Sequence, residues 1–178
     1  VGHWKLKETN GTNAKDSSGL KNDGIIKTDF NSSSVYVEVP HNKAYLSDEG
    51  TVSFWVKIRN FEVDARQGFF SKDAKGFGSG GHLSIYEQNG TLTVRTQSTH
   101  TSYILDHNES LVVGEWNHVA FTWGRSGMEL YQNGSLVESA PYGGGFGLTS
   151  GGLGNSESII LGAGSWKRDT GTGHVIEG

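Results

Sequence analysis

Cysteine is absent from this 178-residue chain, and proline occurs only twice. No disulfide framework can hold the fold. Secreted eukaryotic modules usually carry disulfides, so the lack of thiols leaves a cytosolic protein or a bacterial extracellular one. Lys and Arg form no run beyond the single pair Lys167-Arg168, and the net charge is −4 with both signs interspersed. A nucleic-acid binder would need a basic stripe, so that class is excluded as a first reading. No apolar run approaches about eighteen residues, so no membrane insertion is expected. There is no G-x-S-x-G, no H-E-x-x-H, no Walker loop and no EF-hand spacing. No signal peptide is read either: Val1 starts directly in folded-looking sequence, as an excised domain of a larger multidomain chain would.

What the chain does have is glycine, 27 residues of it, gathered in turn-like clusters without a collagen period. Between those clusters apolar and polar residues alternate, and helical periodicity is absent. Val35–Val39 alternates and stops at Pro40; Thr51–Ile58 places Val52, Phe54, Val56 and Ile58 on one face. His82–Tyr86 and Thr91–Arg95 flank Asn89-Gly90, a pair that accepts positive φ and so predicts a tight hairpin. Trp116–Trp123 and Met128–Tyr131 form a further strand pair, Asn133-Gly134 turns into Ser135–Ser139, and Ser158–Gly162 is a late strand. Strands spaced at about ten residues predict one all-β domain over residues 1–178, a two-sheet antiparallel β-sandwich. Val52, Phe54, Val56, Val119, Phe121, Leu130 and Leu161 are the expected core, and Trp55, Trp116 and Tyr131 are assigned to it as well. The glycine-rich stretch 142–155 is the longest irregular segment and reads as a surface loop. Five N-x-S/T sequons, at Asn10, Asn31, Asn89, Asn108 and Asn133, are what chance gives in a chain so rich in these residues.

Four segments in order resemble the laminin-G-like, concanavalin A-like jelly-roll family of bacterial secreted and surface proteins. They are His3-Trp4-Lys5-Leu6 with Asp16-Ser17-Ser18-Gly19 and Asn22-Asp23-Gly24; Tyr36–Pro40 leading into Val52–Lys57; Gly114-Glu115-Trp116-Asn117-His118-Val119-Ala120 with Leu130-Tyr131-Gln132-Asn133-Gly134-Ser135-Leu136-Val137; and Ile160–Ala163. The resemblance implies a jelly roll, and an extracellular or bacterial cell-surface setting, because Phe69–Asp73, Gly80–Leu83 and Val94–Ser98 are similar to a subgroup found in large calcium-rich adhesins and secreted polysaccharide-active proteins. Family members close with one more strand. Here Gly173–Gly178 reaches only its beginning, so the final strand is expected to be missing or supplied from elsewhere, leaving an open sheet edge.

Two candidate sites follow. Asp16, with Asn22 and Asp23 nearby, sits in a polar turn. Oxygens gathered on a turn suit Ca²⁺, which takes six to eight of them; the alternative is an Asx-turn with Asp16 capping its own backbone. The resemblance implies a calcium near this turn, with Glu177 as the distant second carboxylate. The other site is Lys72, Asp73, His82, Arg95, Gln97, Tyr103 and Trp166. Arg95 and Gln97 share one face of a strand by the two-residue period. Planar hydrogen-bonders, an aromatic ring and cations together suit a carbohydrate, among them an acidic polysaccharide or a cell-surface glycan. The expected function is therefore a non-catalytic binding module. A glucanase would need two carboxylates about 5–5.5 Å apart for retention, and Glu62-Val63-Asp64-Ala65-Arg66-Gln67 lacks the last acid of the usual E-x-D-x-x-E. A lyase using His82, Arg95, Gln97 and Tyr103, and a protein-binding or purely structural module, remain as alternatives.

Overall fold

The computed structural model describes residues 2–28, 35–61, 66–73, 81–98, 101–108, 111–142, 145–146 and 154–163. The described residues form twelve strands: β1 (Asn13–Ala14), β2 (Gly24–Thr28), β3 (Val35–Val39), β4 (Gly50–Lys57), β5 (Arg66–Lys72), β6 (His82–Gln88), β7 (Thr91–Gln97), β8 (Ser102–His107), β9 (Trp116–Gly124), β10 (Gly127–Gln132), β11 (Ser135–Ala140) and β12 (Ile159–Leu161). A 3₁₀ turn at Lys43–Tyr45 is the only helical element among the described residues. The strands form two antiparallel sheets: eight strands in the order β1-β2-β3-β12-β5-β6-β7-β8, and four in the order β11-β10-β9-β4.

Asn-Gly pairs set the hairpins. Asn89 and Gly90 have φ of 52° and 84°, and Asn133 and Gly134 have 50° and 83°, the left-handed pair that matches the twist of two flanking strands. Their registers follow without a slip at β6–β7, where His82 faces Gln97 and Ser84 faces Arg95. One bulge, between Gly68 and Phe70, shifts β5 against β6.

The inward faces make the core. Val37, Val39, Phe70, Leu83, Ile85, Val94 and Leu105 of the large sheet meet Val119, Phe121, Trp123, Met128 and Leu130 of the small one. Aromatic rings bridge the layers: Phe54 to Phe69 at 5.8 Å, and Phe146 between Phe70 at 6.5 Å and Trp123 at 5.1 Å. Val119, Phe121 and Leu130 are fully buried as expected, whereas Val52, Phe54, Val56 and Leu161 are only half-buried. The reason is positional. Among the described residues β4 has no neighbour on its outer side, and an apolar cleft of about 560 Å³ opens beside it, lined by Trp4, Tyr45, Phe54, Phe69, Trp123 and Phe146 among others. Among the described residues the sandwich is thus open along the β4 edge. Gly173–Gly178, the candidate start of a closing strand, lies outside the described residues.

Trp55 and Trp116 are corrections to the expected core, being 64% and 62% exposed. Strict alternation decides it. With Val52, Phe54 and Val56 turned inward, Trp55 must turn outward, and Asn117, Val119, Phe121 and Trp123 do the same to Trp116. Tyr131, on the outward-facing side of β10, is half-exposed.

Phe121 is 1% exposed and stacks on Trp123 at 5.9 Å. Phe121→Ala is expected to cost about 3–5 kcal/mol, read as a lower urea midpoint with an unchanged slope; a loss under about 1 kcal/mol contradicts its place at the centre of the core.

Candidate functional site

The site begins where β5 ends and β6 starts. Asp73 follows directly on β5, and its side chain, 7% exposed, accepts a 2.7 Å hydrogen bond from Nδ1 of His82, the first residue of β6. His82 pairs with Gln97 across β6–β7, and Arg95, two residues along β7, is on the same outward side of the sheet. The Arg95 Nη2 donates to Gln97 Oε1 at 2.6 Å, and its Nη1 lies 4.0 Å from Asp73 Oδ2. Asp73, His82, Arg95 and Gln97 therefore form one connected group on the face turned away from the core. The Arg95 side chain is 31% exposed, and the other three are buried.

The remaining members of the predicted group do not join it. Lys72 pairs with Leu83, a core residue, so it points to the opposite face from Asp73. It is fully buried, with Nζ donating to Glu157 O at 2.5 Å, 3.5 Å from His41 Nδ1 and 5.8 Å from the Phe146 ring centroid. Burial pulls its ammonium down to about 8, against a partial upward pull from the Glu157 charge. Tyr103 pairs with Thr96, the inward residue between Arg95 and Gln97, and stacks on Tyr142 at 4.4 Å. It packs against the core. Trp166 lies outside the described residues.

Asn155 is the residue that sequence reasoning missed. Fully buried, it donates from Nδ2 to the carbonyls of Lys72 (2.7 Å) and Gly81 (3.1 Å), the residues that immediately precede Asp73 and His82. Its own Oδ1 accepts from Glu157 N at 2.9 Å, an Asx-turn whose signal in sequence is only an Asn in a Gly/Ser-rich loop. Among the described residues, three carboxylates of this outer face are engaged: Asp73 by His82, Asp106 by Thr93 Oγ1 at 2.7 Å, and Glu38 by Ser158 Oγ at 2.9 Å and by Lys27.

The Asp16 turn does not fit the expected calcium site. Its Oδ1 accepts from the backbone N–H of His3 (2.9 Å) and Ser18 (2.8 Å), and its Oδ2 from Ser18 Oγ (2.7 Å) and Asn22 N (3.0 Å). All four acceptor positions of the carboxylate are taken by donors. Asn22 is used likewise: its backbone carbonyl accepts from Trp4 Nε1 at 2.9 Å and its Oδ1 from Asn42 Nδ2 at 2.8 Å. Burial alone pushes the Asp16 carboxyl up, but the hydrogen bonds from His3, Ser18 and Asn22 outweigh it and hold it well below the usual carboxylate range. Among the described residues no three His, Cys, Asp or Glu gather as a metal cluster; Glu177 lies outside them. Asp16 is the hub of a turn that ties the N-terminal segment to the sheet.

A family model described as the concanavalin A-like lectin/glucanases superfamily matches residues 31–177. No curated protein matches the chain. Among solved structures, the receptor binding domain of botulinum neurotoxin D is similar at 21% identity and a TM-score of 0.59, over 83% of this chain and 41% of that one. The Ruminococcus gnavus IT-sialidase CBM40 is similar at 16% identity and 0.55, over 81% and 79%. The same CBM40 bound to α2,3 sialyllactose is similar at 16% identity and 0.53, over 79% and 77%. At these identities the likeness is one of fold, and the chain spans less than half of the toxin domain.

Two outcomes test this geometry. Asp16→Ala strands three backbone N–H groups and is expected to cost at least about 2 kcal/mol in urea denaturation, while EDTA leaves the wild-type melting curve unchanged; an EDTA-dependent fall that Asp16→Ala removes contradicts the hydrogen-bonded turn. Lys72 tests linkage. Its folded pKa of about 8 lies below the ordinary 10.5, so between those values the unfolded chain holds a proton that the folded chain has released, and stability rises with pH. Relative to Lys72→Met, the wild type is expected to gain on the order of 2 kcal/mol from pH 7.5 to 9.5, and a pH-independent difference contradicts the burial.

Proposed function

Because the chain belongs to the concanavalin A-like lectin/glucanase superfamily, we propose that it is a non-catalytic carbohydrate-binding module that takes an acidic glycan at Arg95. In this reading it serves an extracellular or bacterial cell-surface protein, as one module of a longer multidomain chain. The observation that carries the proposal is the convergence of Asp73, His82, Arg95 and Gln97, drawn from the junction of β5 and β6 and from β7, on one outward face.

The chemistry suits a sugar acid. A guanidinium is a planar fork that matches a carboxylate with two parallel hydrogen bonds. Gln97 accepts from one edge of the Arg95 fork and Asp73 stands near another, so the guanidinium plane is oriented before ligand arrives. Such pre-ordering lowers the entropy cost of binding. Gln97 also brings an amide N–H₂, a donor suited to ring hydroxyls. The CBM40 neighbour bound to sialyllactose supports an acidic sugar over a neutral one. Binding without catalysis is supported by the engaged carboxylates of this face, since a hydrolase needs a pair aimed at the scissile bond. Glu62 and Asp64 of the partial glucanase motif lie outside the described residues.

Arg95→Ala is expected to weaken 3′-sialyllactose or oligo-uronate binding at least about tenfold, about 1.4 kcal/mol, in titration calorimetry, with the melting temperature nearly unchanged because the side chain reaches the surface. Binding is expected to persist in EDTA, and no new reducing ends or unsaturated products are expected on incubation with the glycan. Equal affinity in wild type and Arg95→Ala overturns the assignment.

A further inference from the structure

The outward face of the four-stranded sheet carries a feature that the Arg95 site does not use. Trp55 on β4 and Trp116 on β9 are 64% and 62% exposed. Trp55 pairs with His118 and Lys57 pairs with Trp116, so the two indoles are diagonal neighbours across adjacent strands, about 7–8 Å apart at the backbone. Exposing two of the largest apolar side chains side by side is costly unless something covers them.

We propose that this face is a second glycan-binding surface, one that takes a neutral, β-linked polysaccharide chain laid across Trp55 and Trp116. It stands independently of the Arg95 reading. Three observations choose a sugar as the occupant. The Trp55 ring is braced by the His118 imidazole at 5.1 Å, and His118 Nε2 is in turn 2.9 Å from Ser53 Oγ, so the side chain is held in place while it remains largely exposed. The outward positions beside it are small or polar, Ser53 opposite Ala120 and Thr51 opposite Thr122, which keeps the surface flat. The charges are of both signs, with Lys57 opposite Trp116 and Glu129 hydrogen-bonded by Tyr131 at 2.7 Å, so no net field selects an ionic ligand.

A pyranose ring in a β-linked chain shows this mixture in reverse: a flat apolar C–H face to stack on an indole and a rim of hydroxyls for donors and acceptors. Two platforms at this separation engage successive residues of one chain rather than a single sugar. A protein partner fits less well. A stable interface buries about 800 Å² per side around a desolvated apolar centre, and here hydroxyl, imidazole and ammonium groups interleave with the indoles.

The test is titration calorimetry and Trp fluorescence with cellohexaose, laminarihexaose and xylohexaose on the whole chain. At least one is expected to bind, with Trp55→Ala and Trp116→Ala each weakening it at least tenfold, Trp55→Phe retaining part of the affinity and Arg95→Ala binding as wild type. Both alanine variants change exposed side chains, so their melting temperatures serve as the folding check. Binding of none of the three hexaoses overturns the proposal, as does equal binding by wild type and the alanine variants. Concentration-dependent dimerisation that the alanine variants abolish, without hexaose binding, also overturns it and makes the face a protein interface. Loss of hexaose binding in Arg95→Ala alone would assign the sugar to the other sheet.

Discussion

One buried amide, that of Asn155, holds the candidate site together. Its two donors reach the carbonyls at the end of β5 and just before β6, which a glycine-rich segment otherwise joins, and thereby fix the two backbones from which Asp73 and His82 project. The same amide accepts from Glu157, whose carbonyl receives the Lys72 ammonium. Strand, loop and buried cation are thus one hydrogen-bonded unit, and unsatisfied buried groups are costly enough to keep it closed. Lys72 belongs to this unit as an anchor. Its desolvation is tolerated because its protons have a carbonyl to reach and because an aromatic ring, Phe146, covers it.

The sandwich separates its chemistry by face. Inward residues of both sheets are apolar, apart from buried groups with internal partners, such as Thr96, which donates to Met128 Sδ, and Asn117, which donates to the carbonyls of Val112 and Glu115. The outward face of the large sheet gathers a charged, pre-oriented group around Arg95, and the outward face of the small sheet presents two indoles. Both arrangements follow from the two-residue period of a strand, because every residue placed between two core positions is delivered to the surface. The rigid layers supply the positions, and the chemistry on each surface is independent of the fold that carries it.

Much of this was legible in the residues. Alternation located β3, β4, β6, β7, β9, β10 and β11, and the two Asn-Gly pairs marked their hairpins, because positive φ at consecutive positions admits few residue types. Arg95 and Gln97 could be placed on one face from spacing alone. The mistakes had physical causes. Lys72 and Asp73 are consecutive, so only one of them can share a face with Arg95, and which one depends on the register of β5 against β6. Tyr103 depends on the pairing of β8 with β7, a long-range choice that local pattern does not encode. Trp55 has the size of a core residue, but its neighbours Phe54 and Val56 already claim the inward side. At Asp16 the residue types suit either a cation or a capped turn, and only the positions of His3, Ser18 and Asn22 around the carboxylate distinguish them.

In the proposed function, the group that Asn155 positions holds an acidic glycan. Amide chemical-shift mapping by ¹H–¹⁵N correlation spectra, with 3′-sialyllactose added stepwise to the labelled chain, addresses it residue by residue. Saturable shifts are expected, centred on Asp73, His82, Arg95 and Gln97, with the β4 and β9 amides around Trp55 and Trp116 unmoved. Shifts centred anywhere else, or none at millimolar ligand, would contradict it.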